Sequence, residues 1–192
     1  MSYSCNIIIT GVGGQGTVLS GRIISLAAEA AGYDVKVSEV HGMSQRGGSV
    51  ITQVRFGDSV AAPIIAYGKA DIVLAFEKLE ALRIMPYLTP NGKIIVNNRA
   101  LLPMPVITGV MKFPDDIEQQ ILAVHKDAEI FDALALAEEA GNAKALNIVL
   151  LGRLSKHFDW PLNYWTDAIT AAVKPKFIDL NIKAFALGRE SK

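Results

Sequence analysis

The sequence predicts an α/β protein: a Rossmann-like, three-layer α/β/α fold with a mixed, mostly parallel sheet and a helical C-terminal cap. Three observations predict it. A short β-branched apolar run, Asn6 to Thr10, leads straight into a glycine-rich turn and then a helical repeat. Further buried-strand runs, Asp71 to Phe76 and Lys93 to Asn97, recur with a helical segment between them. An alternating segment, Ser49 to Phe56, follows so soon on the strand before it that it departs from a plain βαβ series, which needs a long crossover between parallel strands.

Taken in order, Asn6 to Thr10 is long enough for a buried strand and too short for a core helix, and it reads as a central parallel strand. Val18, Leu19, Ile23, Leu26, Ala27 and Ala30 then recur at helical spacing, and Gly32 stands where such a helix stops. In Asp34 to Val40, Val35, Val37 and Val40 are set against polar neighbours, which predicts a second strand beside the first with Glu39 near its end. Val50, Thr52, Val54 and Phe56 alternate with Ile51, Gln53 and Arg55, as in an antiparallel strand that forms a hairpin-like excursion. A helix is expected over about Lys78 to Met85, with Pro86 helping to end it.

Leu101 to Pro114 holds Pro103, Pro105 and Pro114 and reads as an irregular connection or short strand. Pro114 to Val124 is expected to be a helix and Glu129 to Phe131 a short strand. From Leu134 onward the pattern is mainly helical, with Leu146, Val149, Leu150, Leu154 and Phe158 forming an apolar stripe. No repeat, low-complexity tract or linker divides the chain, so residues 1–192 are expected to form one domain.

Composition narrows the function classes. The 19 basic and 19 acidic side chains cancel, so no overall field attracts nucleic acid or an anionic membrane, and neither is an expected partner. The single cysteine, Cys5, excludes an intrachain disulfide and cannot by itself hold an iron–sulfur cluster on four thiolates. The start MSYSCNIII has no basic segment before a cleavable apolar core, and no apolar run approaches the ~20 residues of a membrane span, which together predict a cytoplasmic protein. A mean hydropathy of +0.29 is high for a small soluble chain, as expected either of a large core or of a buried subunit interface.

Two loops carry the chemistry. Gly11, Gly13 and Gly16 satisfy G-x-G-x-x-G between a strand and a helix, where glycine lets the backbone approach a phosphate and the helix N–H groups point at the anion. The plainer alternative is a turn that only packs strand on helix or holds a partner's backbone close. The second loop, HGMSQRGGS from His41 to Ser49, places Arg46 beside Gln45, Gly47 and Gly48, a planar cation fit for phosphate or carboxylate. Its alternative is an exposed hairpin arginine in water.

Glu39 lies near the position of a ribose-binding acid about 20 residues past the glycines, which keeps NAD as an alternative ligand. His41 has no nearby partner of the kind that makes a nucleophile and base. His125 and His157 have no metal-ligand spacing and are expected to cap or to face solvent. Trp160, Tyr164 and Trp165, with Pro161 suited to a first helical turn, fit either an aromatic anchor for a partner or core packing.

With GVGGQG, HGMSQRGGS and the helical NIVLLG of Asn147 to Gly152 in this order, the chain closely resembles the gamma-type domain of the 2-oxoacid:ferredoxin oxidoreductases over nearly its whole length. Within that family the HGMSQRGG loop is most similar to the small (beta) subunits of the indolepyruvate:ferredoxin oxidoreductases. The resemblance implies an enzyme that oxidatively decarboxylates an aryl pyruvate with coenzyme A, giving an arylacetyl-CoA, carbon dioxide and reduced ferredoxin. It also implies that thiamine diphosphate, magnesium and the iron–sulfur clusters belong to a large (alpha) partner subunit, that this chain alone binds none of them, and that ferredoxin is met through the complex.

The tasks this leaves are to complete the assembly and to help receive coenzyme A. The contacts would be Gly11, Gly13, Gly14, Gln15 and Gly16 with Ser44, Gln45, Arg46, Gly47 and Gly48. No residue is assigned to direct catalysis and none to a metal. A stand-alone NAD-binding oxidoreductase and a purely structural subunit without ligand contact remain the alternatives.

Overall fold

The computed structural model describes residues 3–42 and 48–191. A six-stranded sheet in the order β2-β3-β1-β4-β5-β6 forms its middle layer. The strands are β1 (Ser4–Val12), β2 (Asp34–His41), β3 (Ser49–Gly57), β4 (Ala70–Ala75), β5 (Leu88–Asn97) and β6 (Glu129–Phe131). β3 runs antiparallel to both β1 and β2, whereas β1, β4, β5 and β6 are mutually parallel. The mixed, mostly parallel sheet expected from the sequence is therefore observed.

The expected neighbour of β1 is corrected. β2 does not lie beside it; β3 folds back between them and leaves β2 at the edge. Side-chain chemistry explains the order. β3 is buried along most of its length and has the residues for two covered faces, whereas β2 carries Lys36, Ser38 and Glu39 and exposes Val37 and Val40. Charged side chains suit an edge, where they discourage pairing with another chain. β1 is accordingly central but only half parallel, with β4 on one side and antiparallel β3 on the other.

Alternation along β1 builds two cores. Cys5, Ile7 and Ile9 face one layer and Ile8 the other. The first layer holds α1 (Thr17–Ala30), α5 (Ala133–Ala140), α6 (Leu146–Leu154), α7 (Leu162–Ala172) and α8 (Ile178–Glu190). On the opposite face lie α2 (Lys78–Ile84) and α4 (Ile117–Val124). The helical C-terminal third is thus a layer over one face of the sheet. α6 and α8 meet almost backbone to backbone: a Cβ on Gly152 would stand 2.1 Å from the Phe185 carbonyl oxygen, and one on Gly188 1.9 Å from that of Val149. Only glycine admits this approach, and the contact fixes the start of α6 above the sheet's carboxyl edge.

Boundaries shift by a few residues. α2 ends at Ile84 and Pro86 sits inside a following 3-10 turn, Met85–Tyr87. The proline-rich stretch contains one short helix, α3 (Met104–Ile107), and α4 starts at Ile117 rather than at Pro114. Pro161 stands at the N-cap of α7 (Leu162–Ala172), one residue before the first turn in which the sequence placed it. Trp165 is fully buried, and Trp160 stacks on it at 5.4 Å between centroids and on Phe158 at 4.6 Å. Both rings pack against the core, Trp165 within it and the half-buried Trp160 at its margin. No helix among the described residues is long and apolar enough to cross a membrane.

Candidate functional site

β1 and β4 are parallel neighbours, yet the chain leaves β1 through α1 onto one face and β4 through α2 onto the other. Such a divergence opens a crevice at the strands' carboxyl ends, where open α/β sheets receive ligands. The glycine turn occupies this edge. Gly11 ends the buried part of β1, with Phe76 packed so close that a Cβ there would lie 3.1 Å from its Cβ. Gln15 then closes the turn on itself: its N–H donates to the Val12 carbonyl at 3.1 Å, and its side-chain oxygen accepts from the Val12 N–H at 2.6 Å. The Gln15 oxygen is therefore engaged in the turn rather than offered to a ligand.

Gly16 is the N-cap of α1 at φ 89°, a left-handed conformation that glycine reaches without strain. No side chain caps this helix. The N–H groups of Thr17, Val18 and Leu19 precede the intrahelical ladder and are available to an anion. A Cβ on Gly16 would meet Asn147 Nδ2 at 3.1 Å. Asn147 is only 3% exposed, and its Nδ2 is buried without a hydrogen-bond partner.

The second loop joins the first at its root. Gly13 N–H donates to the Gly48 carbonyl at 2.9 Å. Ser44, Gln45, Arg46 and Gly47 lie outside the described residues. Between the end of β1 and the start of β3 sits Glu80, 2% exposed, which accepts from Ser49 Oγ and from Thr10 Oγ1 at 3.4 Å and pairs with Arg83. One buried carboxylate thus ties the residue before the glycine turn to the residue after the arginine loop. Glu77, 1% exposed, caps α2 through the N–H groups of Leu79 and Glu80 and reaches Leu101 N–H. Burial pushes its carboxyl above the usual range, against the pull of these backbone donors. Glu80 and Glu77 are absent from the sequence reading, because no local spacing links residue 80 to residues 10 and 49.

Two clefts flank the turn. One, of about 420 Å³, lies between Gly13, Gly14 and Thr17 and the end of β2, with Glu39 and His41 on its far wall. The other, of about 530 Å³, lies between Gly14 to Gly16 and the start of α6, lined by Arg99, Lys144 and Asn147. Arg99 follows β5, where the buried Asn97 holds both flanks: its Nδ2 donates to the Phe76 carbonyl at 3.1 Å and its Oδ1 accepts from Ala133 N–H at 3.0 Å. Lys78 N–H donates to the Arg99 carbonyl at 2.8 Å.

Glu39 does share a cleft with the glycines, but β3 separates its strand from β1. That puts it about 10 Å away in strand spacings rather than about 5. The adjacent-strand geometry of a ribose-binding acid is not reproduced, which removes the structural support for NAD.

The remaining histidines do structural work. His125 ends α4, its N–H donating to the Ile121 carbonyl. His157 Nε2 lies 2.7 Å from Glu129 Oε1, and Arg153 Nη1 lies 3.3 Å from Glu129 Oε2. Burial raises the Glu129 carboxyl, but the His157 hydrogen bond and the charges of His157, Arg153 and Lys156 outweigh it and leave it below the usual carboxylate range. His41 is exposed, with Nδ1 3.0 Å from the Gly42 carbonyl oxygen. Among the described residues no three His, Cys, Asp or Glu side chains gather where they could hold a metal ion. Burial and the charge of Asp71 push the Cys5 thiol up to about 12, far from the thiolate state a metal requires.

The model of the family described as pyruvate ferredoxin/flavodoxin oxidoreductase matches residues 6–191. The chain is 44% identical over 189 residues to the indolepyruvate oxidoreductase subunit IorB of Pyrococcus horikoshii, covering 95% of this chain and 93% of that one. Its fold is similar to that of pyruvate oxidoreductase subunit PORC of Thermotoga maritima, with a TM-score of 0.74 at 21% identity over 98% of this chain and 96% of that chain. It is also similar to part of the 2-oxoglutarate:ferredoxin oxidoreductase of Magnetococcus marinus, solved with 2-oxoglutarate, coenzyme A and succinyl-CoA bound: TM-score 0.71, 19% identity, 97% of this chain and 30% of that chain.

Proposed function

The chain belongs to the pyruvate ferredoxin/flavodoxin oxidoreductase family, and from that premise we propose that it is the small, non-redox-centre subunit of an indolepyruvate (aryl pyruvate):ferredoxin oxidoreductase. The complex converts the 2-oxo acid and coenzyme A to an arylacetyl-CoA and carbon dioxide, passing the electrons to ferredoxin. Bond cleavage and electron transfer belong to the large subunit, which carries thiamine diphosphate, magnesium and the iron–sulfur clusters. This chain completes the assembly and helps to hold coenzyme A.

One observation carries the coenzyme A role: an uncapped helix N-terminus behind a glycine turn at the sheet's switch point, with Gly16 in the left-handed region. This arrangement gives free N–H groups and a partial positive charge to a phosphate at no cost in side-chain ordering. Glu80 supports it by tying Thr10, just before the glycine turn, to Ser49 at the start of β3. The similarity to a solved oxidoreductase with coenzyme A bound agrees with the reading at the level of the fold.

A specific observation favours a second reading, that of a purely structural subunit. The Gly13 and Gln15 N–H groups already have partners inside the protein, so part of the turn is self-contained. The two readings separate in the assembled enzyme. Arg46→Ala is expected to raise the KM for coenzyme A by tenfold or more while the subunits still copurify. Lost assembly with an unchanged KM in the residual complex would favour the structural reading.

A further inference from the structure

The stretch between β5 and α4 is ordered in its backbone and uncovered in its side chains. Around α3 the backbone closes on itself: Thr108 N–H donates to the Met104 carbonyl at 2.9 Å, Gly109 N–H to that of Val106 at 3.0 Å, and Met111 N–H to that of Pro105 at 2.9 Å. Gly109 turns the chain out of α3 at φ 76°, a conformation open to glycine. Pro103 and Pro105 narrow the conformations of the unfolded segment. At its base, Leu101 N–H donates to the buried Glu77 carboxylate at 3.4 Å. The segment is a preformed knob.

Its order does not serve to fill the core. Fifteen large apolar side chains are exposed among the described residues, and five of them, Leu102, Met104, Ile107, Val110 and Met111, fall in this stretch, each more than half exposed. No charged residue stands between Arg99 and Lys112. Apolar side chains exposed singly are the ordinary condition of a soluble surface, whereas a contiguous group marks an interaction site. Together the five present on the order of 500 Å² of surface, more than half of the ~800 Å² that one side of a standard interface buries. Beyond Lys112 the stretch runs into a cleft of about 500 Å³ at the starts of α2 and α4, walled by Lys78, Phe113, Ile117 and Leu122. The cleft offers room for a side chain of whatever covers the knob.

The knob's position selects its occupant. β5 is parallel to β4 and so to β1, and the segment therefore leaves the sheet at its carboxyl edge, the edge of the glycine turn. Arg99, just before the knob, lines the cleft beside Gly14 to Gly16. If coenzyme A is held at this edge and reacts on the large subunit, the large subunit must approach here, and a second copy of this chain seated on the knob would stand in its way.

We propose that the knob from Leu102 to Met111 is a docking surface for the large subunit, whose matching face is apolar and uncharged at its centre. A charge set against these side chains would lose its hydration with nothing to pair it. Because the knob is ordered before contact, docking costs little in conformational entropy. The proposal rests on the reading of this chain as a small subunit and adds the surface by which it is held.

The test places a thiol on the knob and follows its alkylation by a maleimide in the free chain and in the purified complex whose second chain has been identified by mass spectrometry as the cluster-bearing subunit. The natural thiol, Cys5, is 6% exposed and stays silent in the folded chain. Val110→Cys and Met104→Cys are expected to react readily in the free chain and at least tenfold more slowly in the complex. Ile64→Cys, on an exposed loop at the amino edge, should react within twofold of the same rate in both. Val110→Arg should cut recovery of the large subunit at least tenfold while the Tm of the free chain is unchanged. Knob thiols that react equally fast in the complex would overturn this surface and leave the subunit reading intact. Thiols already protected in the free chain and released on dilution would overturn it in favour of a second copy. A wild-type chain that recovers no large subunit would overturn both.

Discussion

A methyl group added at Gly16 would carry two penalties at once: the left-handed backbone at φ 89° and a contact of 3.1 Å with Asn147 Nδ2. The first alone costs roughly 1–2 kcal/mol. Gly16→Ala is therefore expected to lower stability by about 2 kcal/mol, seen as a fall in Tm of about 4–8 °C. An unchanged Tm would mean that the turn relaxes freely. Cys5 offers a second check. A buried thiol raised to about 12 is almost wholly protonated at pH 8, so iodoacetamide should alkylate the native chain at least ~100-fold more slowly than the urea-unfolded chain.

Glu129 makes a pH-dependent contribution whose sign follows from its lowered carboxyl. A carboxylate held below its unfolded value near ~4.3 stabilises the folded state above that value, and the contribution is lost as pH falls through the folded one. The Tm difference between the wild type and Glu129→Gln should therefore be larger at pH 7 than at pH 3. At this scale the sequence reveals what is local. Gly11, Gly13 and Gly16 stand out because their spacing and their place between strand and helix lie within a few residues. Arg99, Lys144 and Glu80 reach the same edge from distant segments with no short-range pattern to mark them, and Asn147 stands out only as the first residue of NIVLLG, a motif that does not itself point to the glycine turn.

Each strand announces itself through its apolar pattern, and Glu129 to Phe131 is found with its expected bounds. Strand order is another matter. Alternation reports which faces are covered, not which neighbour covers an edge, so β2 and β3 were legible as strands while the insertion of β3 next to β1 was not. The polar character of β2, with Lys36, Ser38 and Glu39 in eight residues, is the signal of an edge position. The motif NIVLLG proves to serve two ends. Asn147 faces the glycine turn, and Gly152 lets α6 touch α8. Gly188→Ala would force a Cβ to within 1.9 Å of a backbone oxygen, and overpacking of this kind costs about 1–3 kcal/mol or more. Chemical denaturation should show this loss, whereas a helical alanine in open space would be neutral or stabilising.

On the scale of the whole molecule, the three-layer fold places the glycine turn where β1 and β4 part, and membership of a multi-subunit oxidoreductase family accords with the apolar surface the chain leaves uncovered. Met104, Val110 and Met111 are 66%, 78% and 62% exposed in the stretch after β5, apolar surface of the kind that subunit interfaces cover. The high mean hydropathy was legible beforehand, but its location was not, because a proline-rich stretch gives no periodicity from which to read a face.

The central claim is that this chain works as the small subunit of an oxidoreductase whose redox centres sit on a partner. Affinity capture from its native cells tests it most directly, followed by the visible absorption of the captured material and its reduction of an artificial electron acceptor with indolepyruvate and coenzyme A. The account predicts a brown complex with a cysteine-rich large subunit, active only when both substrates are present. A colourless chain captured alone and inactive would contradict it.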